Sequence, residues 1–183
     1  MTWDAQVANL CKKIAINLNI LRKIRYYLPF HVRNLYVNAY ILPHIDYCTI
    51  WGNCNRSLLK KVQRLHKVAA YLVTGTNCFV SYKDLIHKLN WMTLEERITF
   101  KKAVLVYKSL NDMAPPYMKD MFVHVKHFHA VNLRSATDDQ LYLDRPRTDF
   151  MKRTICYSGA AIWNSLNGIE MRCSSSLCMF KRN

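Results

Sequence analysis

With only four glycines and five prolines among 183 residues, the chain has few of the residues that tight turns and hairpins need, so helices are expected over sheets. Acidic residues are scarce too: 12 Asp and Glu stand against 27 Lys and Arg, a net charge of +15. Such an excess says little about fold but selects partners, favouring polyanions, either nucleic acid or an anionic membrane face. No apolar run reaches the roughly 18 residues that a membrane-spanning helix requires, because Lys, Arg, Asn or His interrupts each one. The cysteines, at 11, 48, 54, 78, 156, 173 and 178, are odd in number and form no Cys-x-x-Cys pair. With no secretory h-region at the N-terminus, they point to reduced thiols in the nucleus or cytoplasm and not to a secreted disulfide scaffold. Gly-x-Ser-x-Gly, Walker, His-Glu-x-x-His and dinucleotide fingerprints are all missing.

What is present is apolar periodicity. An apolar fraction of 51% and an aromatic fraction of 12% suit a folded core. From Asp4 to Leu28, Leu10, Ile14, Leu18, Leu21, Ile24 and Leu28 recur every three or four residues, which predicts a long amphipathic helix ended at Pro29. A second helix is expected from Phe30 to Leu42, with Leu35, Tyr36, Ala39 and Tyr40 inward and Pro43 as its stop. Tyr40, Tyr47 and Trp51 should then pack the corner before a third helix, capped by Ser57 and closed by Gly75. Its apolar side is Leu58, Val62, Leu65, Ala69 and Leu72; Lys60, Arg64 and Lys67 line the opposite side and Lys61 widens the row. Ser81 to Leu89 predicts a short helix, and Thr93-x-x-Glu96 is a capping box for a buried helix reaching about Asn111. On that helix Arg97, Lys101 and Lys108 form a second, narrower basic line.

Beyond Pro115 and Pro116 a further turn is expected at Tyr117 to Phe122, after which the pattern weakens. Leu141 to Leu143 and Phe150 to Tyr157 are candidate strands of one short hairpin, Gly159 to Leu166 reads as helix, and no closing element is evident at the C-terminal end. The division expected is a helical bundle over residues 1–122 and a less regular tail over residues 123–183, a mainly α fold.

Three constellations bear on chemistry. Asp138-Asp139 has the look of a Mg²⁺-holding pair, but such a pair needs apolar strands beside it and a third carboxylate, whereas Ser135, Thr137 and Gln140 surround this one. His124, His127 and His129 lack a nearby cysteine, and the spacings Cys48-x5-Cys54, with His44 nearby, and Cys173-x4-Cys178 fit no familiar zinc finger or knuckle. No metal, cofactor or catalytic residue is therefore expected. The basic rows remain: Lys60, Lys61, Arg64 and Lys67 on one helix, and Arg97, Lys101 and Lys108 on another, match a phosphate backbone and read no sequence by themselves.

Several short motifs follow one another in a set order along the chain. Trp3 and Lys12-Lys13 come first, then Leu21-Arg22-Lys23-Ile24-Arg25 before Leu28-Pro29, and Leu35-Tyr36. Leu42-Pro43-His44-Ile45-Asp46-Tyr47-Cys48 and Trp51-Gly52 follow, then Leu59 to Gln63 with Ala69-Ala70, and Leu89-Asn90-Trp91-Met92 with Leu94 and Arg97. The series continues with Tyr107-Lys108, Ala114-Pro115-Pro116-Tyr117, Arg134-Ser135, Gly159-Ala160, Trp163-Asn164-Ser165-Leu166 and Phe180-Lys181. In this order the motifs resemble the C-terminal region, after the polymerase palm, of reverse transcriptases from LINE-type (non-LTR) retrotransposons, and the resemblance implies a thumb-like helical bundle and adjoining tail that grip template and primer. The family's palm, with its aromatic-Ala-Asp-Asp motif, and its endonuclease have no counterpart here, so the resemblance also implies a truncated remnant without catalysis, with Met1 an internal methionine used as a start. The alternative is a protein-interaction module or an inert retrotransposon-derived reading frame, self-associating through apolar surface left exposed on the first helix.

Overall fold

Leu10, Ile14, Leu18 and Leu21 fall on one stripe of the first helix, α1 (Asp4–Ile24), and are buried there together with Val7. The computed structural model describes residues 3–47, 49–76, 80–128, 139–166 and 176–182, and the chain is mainly α-helical, with no strand among the described residues. It divides into two compact units, residues 1–98 and 99–183, so the boundary expected at residue 122 lies inside the second. The division falls within a helix because the two ends of that helix pack into different cores.

In the first unit α1 packs on α4 (Arg56–Thr74), with α2 (Phe30–Tyr40), the short α3 (Leu42–Asp46) and α5 (Tyr82–Lys88) completing the bundle. Pro29 sits at the N-cap of α2 with φ −66°. Pro43 does not simply stop a helix: α2 ends at Tyr40, and Pro43 occupies the first turn of α3, where its missing N–H costs nothing. The inward set expected on α2 is also displaced. Val37 is its buried residue, Tyr36 is half-buried, and Leu35, Ala39 and Tyr40 are exposed. At the corner Trp51 alone of the three aromatics is buried, its indole N–H donating to Ile45 O at 3.3 Å, while Tyr40 and Tyr47 face solvent. Gly52, in the 3-10 turn Thr49–Asn53, permits this close packing, since a Cβ there would come within 2.5 Å of Ile98 Cγ2.

The helix α4 has its N-cap at Asn55, two residues before the Ser57 expected, and is closed by Gly75 with φ 68°. The capping box of α6 (Leu94–Leu110) is present: Thr93 N–H donates to Glu96 Oε2 at 2.9 Å and Glu96 N–H to Thr93 Oγ1 at 3.3 Å.

In the second unit Ala103, Val106 and Tyr107 of α6 pack with Phe122, Leu141, Ala160, Trp163 and Phe180. The short α7 (Pro116–Lys119) and α8 (Val125–Phe128) follow α6. The expected hairpin is absent from the described residues. Leu141 makes an isolated antiparallel bridge with His124, and Phe150 to Tyr157 runs from α9 (Asp149–Lys152) through a two-residue turn into α10 (Ile155–Ser165). The physical reason is capping: Thr148 and Thr154 accept the amides of Met151 and Tyr157 and start two helices where β-branched residues suggested a strand. The partner that Leu141 lacks in a sheet is a side chain. Asn164 Oδ1 accepts the Leu141 N–H at 2.9 Å and Asn164 Nδ2 donates to Leu141 O at 2.8 Å. A closing element that the sequence did not reveal, α11 (Leu177–Arg182), buries Phe180 against Tyr107 and Trp163, with ring centroids 4.4 and 6.0 Å apart.

Candidate nucleic-acid interface

The basic row of α4 owes its position to the anchoring of the opposite face. Leu58, Val62, Ala69, Ala70, Leu72 and Val73 are buried, which fixes the helix's rotation and turns Lys60, Lys61 and Arg64 to solvent. Lys67 is half-buried, its ammonium 5.4 Å from the centre of the Tyr71 ring. From Lys60 to Lys67 the row spans about 10 Å along the axis. Lys61 lies toward α1: the Cys11 thiol there is pushed above its ordinary range by burial, against the opposing pull of the Lys61 cation.

The C-terminal end of α4 is tied down. Arg33 of α2 donates to Leu72 O at 3.2 Å, a cation at a helix C-terminus, and Thr74 Oγ1 donates to Ala70 O at 2.9 Å. Midway, His66 is wholly buried between Tyr82 and Trp91. Tyr82 Oη accepts the Leu94 N–H at 3.0 Å and shares a hydrogen bond of 2.8 Å with His66 Nδ1. His66 Nε2 is buried without a hydrogen-bond partner. Burial, and secondarily Arg97, hold the imidazole down to about 4, with Asp46 opposing.

The second basic line behaves differently. Arg97 Nη1 reaches both carboxylate oxygens of Asp46 at 2.8 Å, with the two side chains only 16% and 22% exposed. Its charge is matched inside the fold, so Arg97 holds α6 to α3 and is not offered to a phosphate. Lys101 and Lys108 are half-buried residues of the second unit, and neighbouring Lys102 is buried. The four residues of α4 are thus the ones brought together as a row, three of them exposed and Lys67 half-buried.

Sequence reasoning missed one feature of the first unit. Between Asp4 and Asp46 there is no Asp or Glu, and between Asp46 and Asp84 there is none either. With Asp46 committed to Arg97, the surface of α1, α2 and α4 has no free carboxylate between Asp4 and Asp84 to offset its cations. A count of acids by position, in place of a total, was the signal that could have found it.

The other candidate constellations resolve into structural contacts where they are described. Asp139 pairs with His124 at 3.1 Å and Lys126 at 3.6 Å; Asp138 and His129 lie outside the described residues. Cys54 is buried, Cys156 and Cys178 are exposed, and Cys48, Cys78 and Cys173 lie outside the described residues. Among the described residues no group of three His, Cys, Asp or Glu side chains is placed to hold a metal ion, and no helix is long and apolar enough to cross a membrane. No family model, curated protein or solved structure matches the chain.

Proposed function

We propose that the first unit binds nucleic acid through its phosphate backbone, with Lys60, Lys61, Arg64 and Lys67 of α4 as the contact row. The observation that carries this reading is a row of cations on the outward face of a helix whose other face is locked into a core, in a region otherwise without free carboxylates. A phosphate backbone is the ligand that such a row fits, because the contacts need charge and spacing but no base-edge hydrogen bonds. The wider reading, supported by the ordered motifs from Trp3 to Lys181, is that the chain is the thumb-like region and tail of a LINE-type reverse transcriptase, a template-primer grip without catalysis of its own. Titrating the whole chain with a primer-template duplex at rising salt tests the reading. Binding that weakens steeply with salt supports it, and binding indifferent to salt removes it.

A second reading, an interaction module, is favoured by Ile16 and Ile20. These two apolar side chains lie one turn apart on α1 and are 53% and 45% exposed. Light scattering decides here: a concentration-dependent dimer that Ile16→Glu and Ile20→Glu abolish is its expected signature, and a monomer at all concentrations excludes self-association.

A further inference from the structure

The turn between α1 and α2 exposes aromatic rings in an unusual setting. Tyr26, Tyr27 and Phe30 are 78%, 87% and 48% exposed, although each ring would gain from burial. Their backbone is nevertheless held in place. Tyr27 N–H donates to Ile24 O at 3.0 Å, Pro29 fixes the entry to α2, and half-buried Leu28 packs against the core. The rings are therefore presented by a fixed turn.

Basic side chains flank this turn in sequence. Arg22 and Lys23 are exposed on the last turn of α1. The Arg25 guanidinium lies 4.6 Å from the centre of the Tyr26 ring and donates to Tyr26 Oη at 2.6 Å. It supports that ring while leaving most of its surface to solvent. Arg33 is excluded from this set because it is spent on Leu72 O.

We propose that this turn is a stacking platform for the unpaired bases of a single-stranded nucleic acid, with Tyr26, Tyr27 and Phe30 under successive bases and Arg22 and Lys23 on the phosphates between them. The choice of occupant follows from charge complementarity. An apolar protein partner has no use for the flanking cations, and an acidic one has none for three uncovered rings, whereas a single strand alternates flat π-faces with negative charges. A duplex hides its base faces, so it reaches the cations alone. The platform rests on the phosphate-binding reading above and adds to it a preference for unpaired over paired strands at this turn.

The test is fluorescence anisotropy of the whole chain with a labelled oligothymidylate and with a blunt duplex of the same length. Changing Tyr26, Tyr27 and Phe30 together to Leu should weaken single-strand binding about tenfold or more while leaving duplex binding within about twofold. Changing both tyrosines to Trp should restore the single-strand affinity. Should the Leu variant lose helicity by circular dichroism, Arg22→Gln with Lys23→Gln serves instead, expected to lower the single-strand salt slope by about 1.4. If wild type binds duplex but neither variant alters single-strand binding, or if both ligands lose affinity equally, this inference falls and the α4 reading stands. If wild type binds neither ligand at low salt, both fall.

Discussion

His66 offers the most quantitative prediction about the scaffold that carries the basic row. Its imidazole is buried and neutral and hydrogen-bonds Tyr82 through Nδ1, and protonation would place a second charge near Arg97. The folded value is about 4 against an ordinary 6.5. Because the folded value is depressed, the unfolded chain binds the proton first as pH falls. The contribution to stability is complete above pH 6.5, declines as pH drops below it, and is lost by about pH 4, where the folded imidazole also protonates. A displacement of that size corresponds to about 3 kcal/mol. Urea unfolding followed by tryptophan emission reads the relevant core, since the Trp91 ring stacks on His66 with centroids 5.6 Å apart. Carboxylates also titrate at the lower end of this window, so the informative quantity is the difference between wild type and His66→Phe. The variant loses the hydrogen bond to Tyr82, about 1 kcal/mol, at every pH, but its stability should fall less steeply between pH 6.5 and 4. Parallel curves for the two proteins, or an NMR titration of folded His66 near 6.5, would show that its burial does not depress the imidazole.

Two further substitutions test the supports. Asp46→Ala leaves the half-buried Arg97 cation without its carboxylate and should cost about 2 kcal/mol in the same unfolding assay, whereas the double change with Arg97→Ala should show strong non-additivity and leave duplex affinity unaltered. A drop in duplex affinity in that double variant would return Arg97 to the contact set. Asn164→Leu keeps the side chain's bulk but strips both hydrogen bonds from the Leu141 backbone, so about 2 to 3 kcal/mol should be lost in the second unit; hydrogen exchange at the Leu141 amide, accelerated in the variant, is the direct check.

Much of the first unit was legible because local signals and packing agree there. The period of α1, the capping box at Thr93 and Glu96, and the left-handed Gly75 each state one local rule that the fold keeps. The Lys60 to Lys67 row was legible for the same reason, since an amphipathic pattern fixes which face is wet. Legibility failed where tertiary contacts decide. Nothing in the spacing of α2 says that Val37 is buried while Leu35 and Tyr40 stay exposed, because that depends on where α1, α3 and α4 approach it. Arg97 looked like one more cation in a row, and only the approach of Asp46 from 51 residues away made it a structural one. Around Phe150 to Tyr157, β-branched and aromatic residues were outweighed by two threonine caps, and Phe180 found a core that its short local pattern did not announce.

Whether α4 carries the phosphate contacts is read from the salt dependence of duplex binding by wild type and by the variant combining Lys60→Ala, Lys61→Ala, Arg64→Ala and Lys67→Ala. Each phosphate contact contributes about 0.9 to the slope of log affinity against log salt, so losing four contacts should flatten the slope by about 3.6. Across a doubling of salt, wild type should then lose about twelvefold more affinity than the variant does. Equal slopes for the two proteins, with wild type binding at low salt, would contradict the account by placing the contacts elsewhere.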